Sequence, residues 1–135
     1  KAENKLDEIK KIFDAVGLTF VVNDEKLMDA VTAVSGSGPA YYFLMMEEMT
    51  KAAVELGLPA DMALQLVIQT AKGAAMLAEN QAKEKIAPAE LRRRVTSPGG
   101  TTEAAIKIFL EKDFGSTILQ AMKCAAKRSD ELGIR

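Results

Sequence analysis

At 135 residues the chain has the length of one domain, enough to bury roughly two-thirds of its unfolded surface around a single core. Eighteen basic against nineteen acidic side chains leave a net charge of -1, and the apolar run at residues 39–46 is far below the ~20 residues that cross a bilayer, so neither nucleic acid nor membrane is an expected partner. One cysteine, Cys124, and no histidine exclude an internal disulfide and a multi-cysteine metal site; no metal is expected.

A hydrophobic content of 48% with few aromatics and many Ala, Leu, Met and Lys residues predicts an all-α helical bundle, and the short apolar run together with charged rather than signal-like first residues leads us to expect a soluble, cytoplasmic protein. In residues 1–16, Leu6, Ile9, Ile12 or Phe13, and Val16 recur at helical spacing, and Gly17 stands where that helix stops. Leu18, Thr19, Phe20, Val21 and Val22 follow as a β-rich run, yet a lone strand has nothing to pair with. Residues 1–22 therefore read as the tail of a preceding α/β domain, and residues 23–135 as a helical domain.

Asn23 is a suitable N-cap for a helix over residues 24–34, whose first turn carries Asp24 and Glu25 near the positive end of the dipole. Ser35-Gly36-Ser37-Gly38-Pro39 breaks that helix, and Pro39 opens the next one, which runs to about Gly57. Glu47, Lys51 and Glu55 form its only polar stripe, so it needs cover from more than one direction. After Gly57-Leu58-Pro59, residues 60–79 place Leu64, Val67, Ile68, Ala71, Ala74 or Ala75, and Ala78 on one face. Gly73 inside that helix costs about 1 kcal/mol against Ala; close approach of another backbone is a physical reason to keep it. A charged connection at residues 81–87 leads to a short helix from Pro88 through Arg94. Two more helices follow, from Thr101 to about Glu111 and over residues 116–132, the last closed by Gly133.

Two segments are able to carry chemistry. Ser97-Pro98-Gly99-Gly100-Thr101-Thr102 lets the backbone turn sharply and brings free N–H groups to the mouth of a helix, where a carboxylate or phosphate is favoured. The alternative is a Gly-rich turn with threonine caps. Residues 35–39 are either a helix-to-helix bend or a loop bare enough for a flat ligand to approach; the glycine spacing is not the dinucleotide fingerprint.

The run Asp29-Ala30-Val31-Thr32-Ala33-Val34-Ser35-Gly36-Ser37-Gly38-Pro39-Ala40-Tyr41, the later residues 97–102, and the intervening Leu56-Gly57-Leu58-Pro59 and Gln69-Thr70-Ala71-Lys72-Gly73-Ala74-Ala75 together resemble pyrroline-5-carboxylate reductase. The likeness spans roughly residues 23–133, and residues 1–22 resemble the last helix and strand of that family's Rossmann-type domain. The resemblance implies reduction of the C=N bond of 1-pyrroline-5-carboxylate to L-proline, the last step of proline biosynthesis, with NADPH or NADH bound mainly by an upstream domain. It further implies that Gly100, Thr101 and Thr102 hold the substrate carboxylate, that the Thr102 hydroxyl meets the ring nitrogen as the catalytic contact, and that Glu25 lines the same site. Ser35, Gly36 and Ser37 would lie near the nicotinamide, and one arginine of the 92–94 run, Arg94, would approach the cofactor, although relatives can carry Asn there. In the family the helices interlock in a homodimer, which fits the broadly apolar helix after Pro39.

Two other readings remain. One is a non-catalytic helical dimerisation module, which has no need of two glycine-rich loops feeding helix starts. The other is the helical domain of a 6-phosphogluconate-type dehydrogenase, which would use a lysine such as Lys51 or Lys72. Tyr41, Tyr42 and Cys124 read as packing residues rather than proton donors or nucleophile.

Overall fold

The computed structural model describes residues 2–133. The first helix, α1 (Ala2–Asp14), ends in a turn at Ala15 and Val16 and leaves Ile12 and Phe13 exposed. Lys10 pairs with Asp14 one turn on, at 2.6 Å, and that contact, followed by one from Thr19, holds the Asp14 carboxyl below the usual carboxylate range.

The strand expected at residues 18–22 does not form, and no strand occurs among the described residues. The reason is the one the sequence already contains: a strand is stabilised by ladder bonds to a neighbour, and this segment has none. Leu18 and Phe20 are left 87% and 81% exposed.

A second correction concerns the start of the helical body. Asp24, not Asn23, provides the cap, its carboxylate accepting the Lys26 N–H at 3.0 Å. The single helix expected over residues 24–34 is instead a 3-10 turn (Glu25–Leu27), a short α2 (Met28–Val31) and a π-helical turn (Thr32–Gly36) in one continuous path. β-Branched Val31, Thr32 and Val34 fit the α-helix poorly, and Ser35 adds a competing bond from its hydroxyl to the Val31 carbonyl, 2.9 Å. The Ser37 N–H then reaches the Thr32 carbonyl five residues back, 2.8 Å, closing the wider ring. Residues 35–39 are therefore not a break.

Helix α3 (Gly38–Glu55) begins directly after this turn with Pro39 in its first turn. It stops where Gly57 adopts φ +99°, with Gly57 and Leu58 N–H groups satisfying the Val54 and Ala53 carbonyls. The short connection folds α4 (Ala60–Ala82) back along α3, and these two helices make the most extensive packing in the chain. Ala63 and Val67 are buried there, with Ala71 and Ala78 half-buried along the same stripe. The Tyr41 hydroxyl is also enclosed, with no hydrogen-bond partner among the described residues, while Tyr42 is exposed.

Helix α4 closes by the same six-to-one pattern as α3, Ile86 N–H to Gln81 carbonyl, but Lys85 occupies the left-handed position at φ 57° where glycine is usual. Helices α5 (Pro88–Arg94), α6 (Thr101–Glu111) and α7 (Phe114–Gly133) follow. Asp113, at φ 52°, makes the corner between the last two, and Phe109 meets Phe114 edge-on at 5.3 Å across it. Helix α7 packs on α2, on the π turn and on α6.

The buried apolar residues number three among those described: Ala33, Ala63 and Val67. The chain exposes 11445 Å², whereas a lone folded protein of 14.6 kDa is expected to expose roughly 6,900 Å². The surplus is apolar in large part, including Phe43, Leu44 and Met49 on α3, Leu64 and Ile68 on α4, and Leu119 on α7.

Candidate functional site

The mouth of α6 is built by the turn at residues 97–100. Pro98 presets its first corner, Gly99 takes φ +72° at the second, and the Gly100 N–H closes it on the Ser97 carbonyl at 3.0 Å. Gly100 is required for a different reason: a Cβ there would stand 3.0 Å from the Ser97 carbonyl oxygen. Gly100 is thus the N-cap of α6 and contributes no side-chain cap, and its carbonyl takes the first helical bond from Ala104.

The N–H groups of Thr101 and Thr102 occupy the first two helical positions and have no acceptor among the described residues. They point, with the partial positive charge of the helix start, toward whatever lies before the turn. Thr101 is exposed and Thr102 half-buried. One carboxylate is already present: Glu103 reaches back to accept the Gly99 N–H at 2.8 Å. This is a third-position glutamate folding toward its own cap, a signal present in Gly100-Thr101-Thr102-Glu103 that the sequence reading passed over. Glu103 fixes the turn yet spends part of the helix-start field.

Arg94 ends α5, six residues before Gly100. Its Nε donates to Glu90 at 2.9 Å, while Arg93 grips the same carboxylate with two bonds of 2.7 and 2.8 Å. These guanidinium groups, Arg93 foremost, bring the Glu90 carboxyl down to about 2. Arg94 is therefore turned onto its own helix.

Glu25 and residues 35–37 sit at opposite ends of the 3-10, α2 and π-turn segment. Glu25 is exposed, Ser35 spends its hydroxyl proton on Val31, and Ser37 is half-buried with its N–H committed to Thr32. Helix α7 is the element that packs on both this segment and α6. Within one chain the α6 mouth and the Glu25-to-Ser37 segment make no extensive direct packing.

Lys51 is held by Glu47 at 2.6 Å and Glu48 at 2.8 Å, contacts that raise its pKa above the ordinary lysine value. Lys51 thus belongs to an exposed, ion-paired stripe of α3. Cys124 is exposed and free. No group of three acidic or cysteine side chains is placed to hold a metal ion among the described residues, and no helix there is long and apolar enough to cross a membrane.

The family model for pyrroline-5-carboxylate reductase dimerisation matches residues 25–132. The chain belongs to that family. A pyrroline-5-carboxylate reductase from Pseudomonas aeruginosa is 51% identical over 126 residues, covering 93% of this chain and 45% of the relative. One from Haemophilus influenzae is 46% identical over 97% of this chain and 48% of its own length. Among solved structures, a pyrroline-5-carboxylate reductase from Coxiella burnetii superposes with a TM-score of 0.90 at 40% identity, covering 96% of this chain and 47% of the other. A Plasmodium falciparum pyrroline carboxylate reductase solved with NADP bound gives 0.84 at 31% identity, over 96% of this chain and 48% of the other. The chain thus spans about half the length of the relatives it matches. The all-helical fold from the 3-10 turn to α7 is that of the dimerisation family.

Proposed function

We propose that this chain is the substrate-carboxylate and dimer-forming half of a cytoplasmic pyrroline-5-carboxylate reductase, which reduces 1-pyrroline-5-carboxylate to L-proline at the end of proline biosynthesis. The observation that carries the reading is the pair of free N–H donors on Thr101 and Thr102 at the mouth of α6, in a chain of this family. The substrate carboxylate accepts from both, and Gly100 keeps the approach clear of a side chain. The Thr102 hydroxyl, one residue inside the helix, then bonds the ring nitrogen. Held at two points, the ring has one face left for attack, and positioning of this kind is a large share of what a hydride transfer needs from the protein.

When bound, NADPH or NADH supplies the hydride. The residues of this chain fit a flanking role toward such a cofactor rather than its principal grip. Ser35 and Arg94 are already bonded to Val31 and Glu90, which leaves the Ser37 hydroxyl as the freer side-chain group near the nicotinamide, beside the side-chain-free Gly36. Residues 1–22 belong, in this reading, to the end of an upstream cofactor domain, and the exposure of Leu18 and Phe20 supports a covering surface supplied from there. Glu25 lines the same cleft from the 3-10 turn. The partner is a second copy: the exposed apolar residues of α3, α4 and α7 need cover of the kind an interlocked obligate dimer supplies, and the matching family model is one of dimerisation.

The test is NADPH or NADH oxidation in the presence of 1-pyrroline-5-carboxylate by a dimer in which this chain is joined to its cofactor domain. Turnover is expected. A folded dimer with no turnover removes the assignment. Thr102→Ala should lower kcat/KM about tenfold, the loss of one hydrogen bond made to the reacting ring, with Thr102→Ser close to the parent. Unchanged kinetics in the alanine variant would remove the imine contact.

A further inference from the structure

Helices α3, α4 and α6 each leave their last turn through a left-handed residue, Gly57, Lys85 and Asp113. Helix α5 does not. Its C-cap, Val95, sits at φ -98° and ψ 7°, so the carbonyls of its last turn are met in another way. The Val95 N–H is shared between the Leu91 and Arg92 carbonyls at 3.3 Å each, and the Thr96 N–H reaches the Arg93 carbonyl at 3.1 Å. The shortest bond of the group comes from a side chain: the Thr96 hydroxyl donates to the Arg92 carbonyl at 2.7 Å. Thr96 is half-buried, while Arg94, Val95 and Ser97 beside it are exposed.

That bond matters because packing does not hold this part of the chain. Helix α5 has only seven residues, too few to be stable as a helix by itself, and it packs extensively on no other described element. Local bonds must therefore set the direction in which the chain leaves it. Thr96 is joined to Ser97, whose carbonyl receives the Gly100 N–H at 3.0 Å, and Gly100 opens α6 with its Thr101 and Thr102 donors. Pro98 keeps Ser97 from continuing the helix. The path from α5 to the donors is thus pinned by the Thr96 hydroxyl at one end and by the contact of Glu103 with the Gly99 N–H at the other.

We infer that Thr96 is a positioning residue for the substrate carboxylate: its hydroxyl, bonded to the Arg92 carbonyl, fixes where the 97–100 turn leaves α5 and so where the Thr101 and Thr102 N–H groups point. The inference rests on the carboxylate reading of the α6 mouth given above. Thr96 acts through the turn and not on the substrate itself. With the hydroxyl removed, the backbone bonds of α5 and α6 remain, but the turn gains freedom. The two donors and the Thr102 hydroxyl then lose the fixed geometry on which orientation of the ring depends.

The experiment measures steady-state kinetics of the dimer in which this chain is joined to its cofactor domain, for wild type, Thr96→Val, Thr96→Ser and Thr117→Val, with melting by circular dichroism as the check on folding. Thr117 supplies the comparison because its hydroxyl makes the same bond four residues back, to the Asp113 carbonyl at 3.4 Å, at the start of α7. Thr96→Val, equal in shape but without the hydroxyl, is expected to raise KM for 1-pyrroline-5-carboxylate about fivefold while KM for the nicotinamide cofactor stays within about twofold. Thr96→Ser is expected to restore the parent value, and Thr117→Val to leave both constants unchanged. A folded wild-type dimer without turnover overturns the reductase reading and this inference with it. Given turnover, a parental substrate KM in Thr96→Val overturns the positioning role alone. So does an equal rise in KM for substrate and cofactor, a serine variant as impaired as the valine one, or the same rise in Thr117→Val. If Thr96→Val gives no folded dimer, Thr96→Ala, which removes the same hydroxyl, is read by the same criteria.

Discussion

Glu103 shows how a single side chain both builds and limits a binding site. By accepting the Gly99 N–H at 2.8 Å it holds the turn that exposes the Thr101 and Thr102 donors, but its negative charge lies within the first turn of the same helix and opposes any second anion. Glu103→Gln keeps an oxygen for Gly99 and removes the charge. A carboxylate ligand such as L-proline should then bind about two- to fivefold more tightly, the range of one charge against a helix start, as isothermal titration of the dimer would read. Weaker binding would mean that Glu103 serves the ligand directly and not only the turn. Four residues of this site were readable in advance, Gly99 and Gly100 as a turn and Thr101 with Thr102 as a helix start. The role of Glu103 was equally present in the letters, as a glutamate three places after a cap, and was missed because the threonines drew the reading toward themselves.

Among the elements, the helices bounded by proline and glycine matched the reading most closely: α5 begins at Pro88, α6 at Thr101, and α3 is stopped by Gly57. Elsewhere competing local bonds decided. Ser35 bonding back to Val31 and crowding by Val31, Thr32 and Val34 turned an expected break into a π turn, and the β-rich residues 18–22 remained irregular because propensity alone does not make a strand. Helix α7 begins two residues earlier than the sequence suggested, because Asp113 tolerates the left-handed corner that lets Phe114 fold onto Phe109. Short α5 depends on its own charges, with Glu90 tied to Arg93 and Arg94. The Glu90 carboxyl is depressed from its ordinary 4.5 to about 2, so the stability it contributes is present in full above about pH 4.5 and is lost as the pH falls through about 2. A carboxyl carbon-13 titration should place its midpoint near the lower value, and Glu90→Gln should abolish the acid-induced change in the α5 amides. A midpoint near 4.5 would show that the ion pair is not held in solution.

For the molecule as a whole, the sequence disclosed the class of fold through its Ala, Leu and Met content and its 3.6-residue periodicity, and it disclosed that α3 was apolar on too many sides. It did not disclose that α4 has the same property, since Leu64, Val67 and Ile68 were read as one face when Val67 lies against α3 and the other two remain exposed. Periodicity records that a side is apolar and not which chain covers it. If the covering surface is a second copy, folding and association are one equilibrium, and a hundredfold dilution removes about 2.7 kcal/mol of stability by mass action. The melting temperature of this chain should therefore fall by several degrees over that dilution, as calorimetry or circular dichroism at two concentrations would show. A concentration-independent transition would identify a chain that is stable by itself.

The three buried residues Ala33, Ala63 and Val67 bear on the life of the chain before it has met anything else. A newly made polypeptide with so little to enclose offers Phe43, Leu44, Ile68 and Leu119 to water as soon as its helices form. Its waiting time for a mate is set by how many sister chains are being translated nearby, so neighbouring ribosomes on one message would be its natural source of partners. Scarce expression would leave the same chain exposed longer to chaperones and proteases.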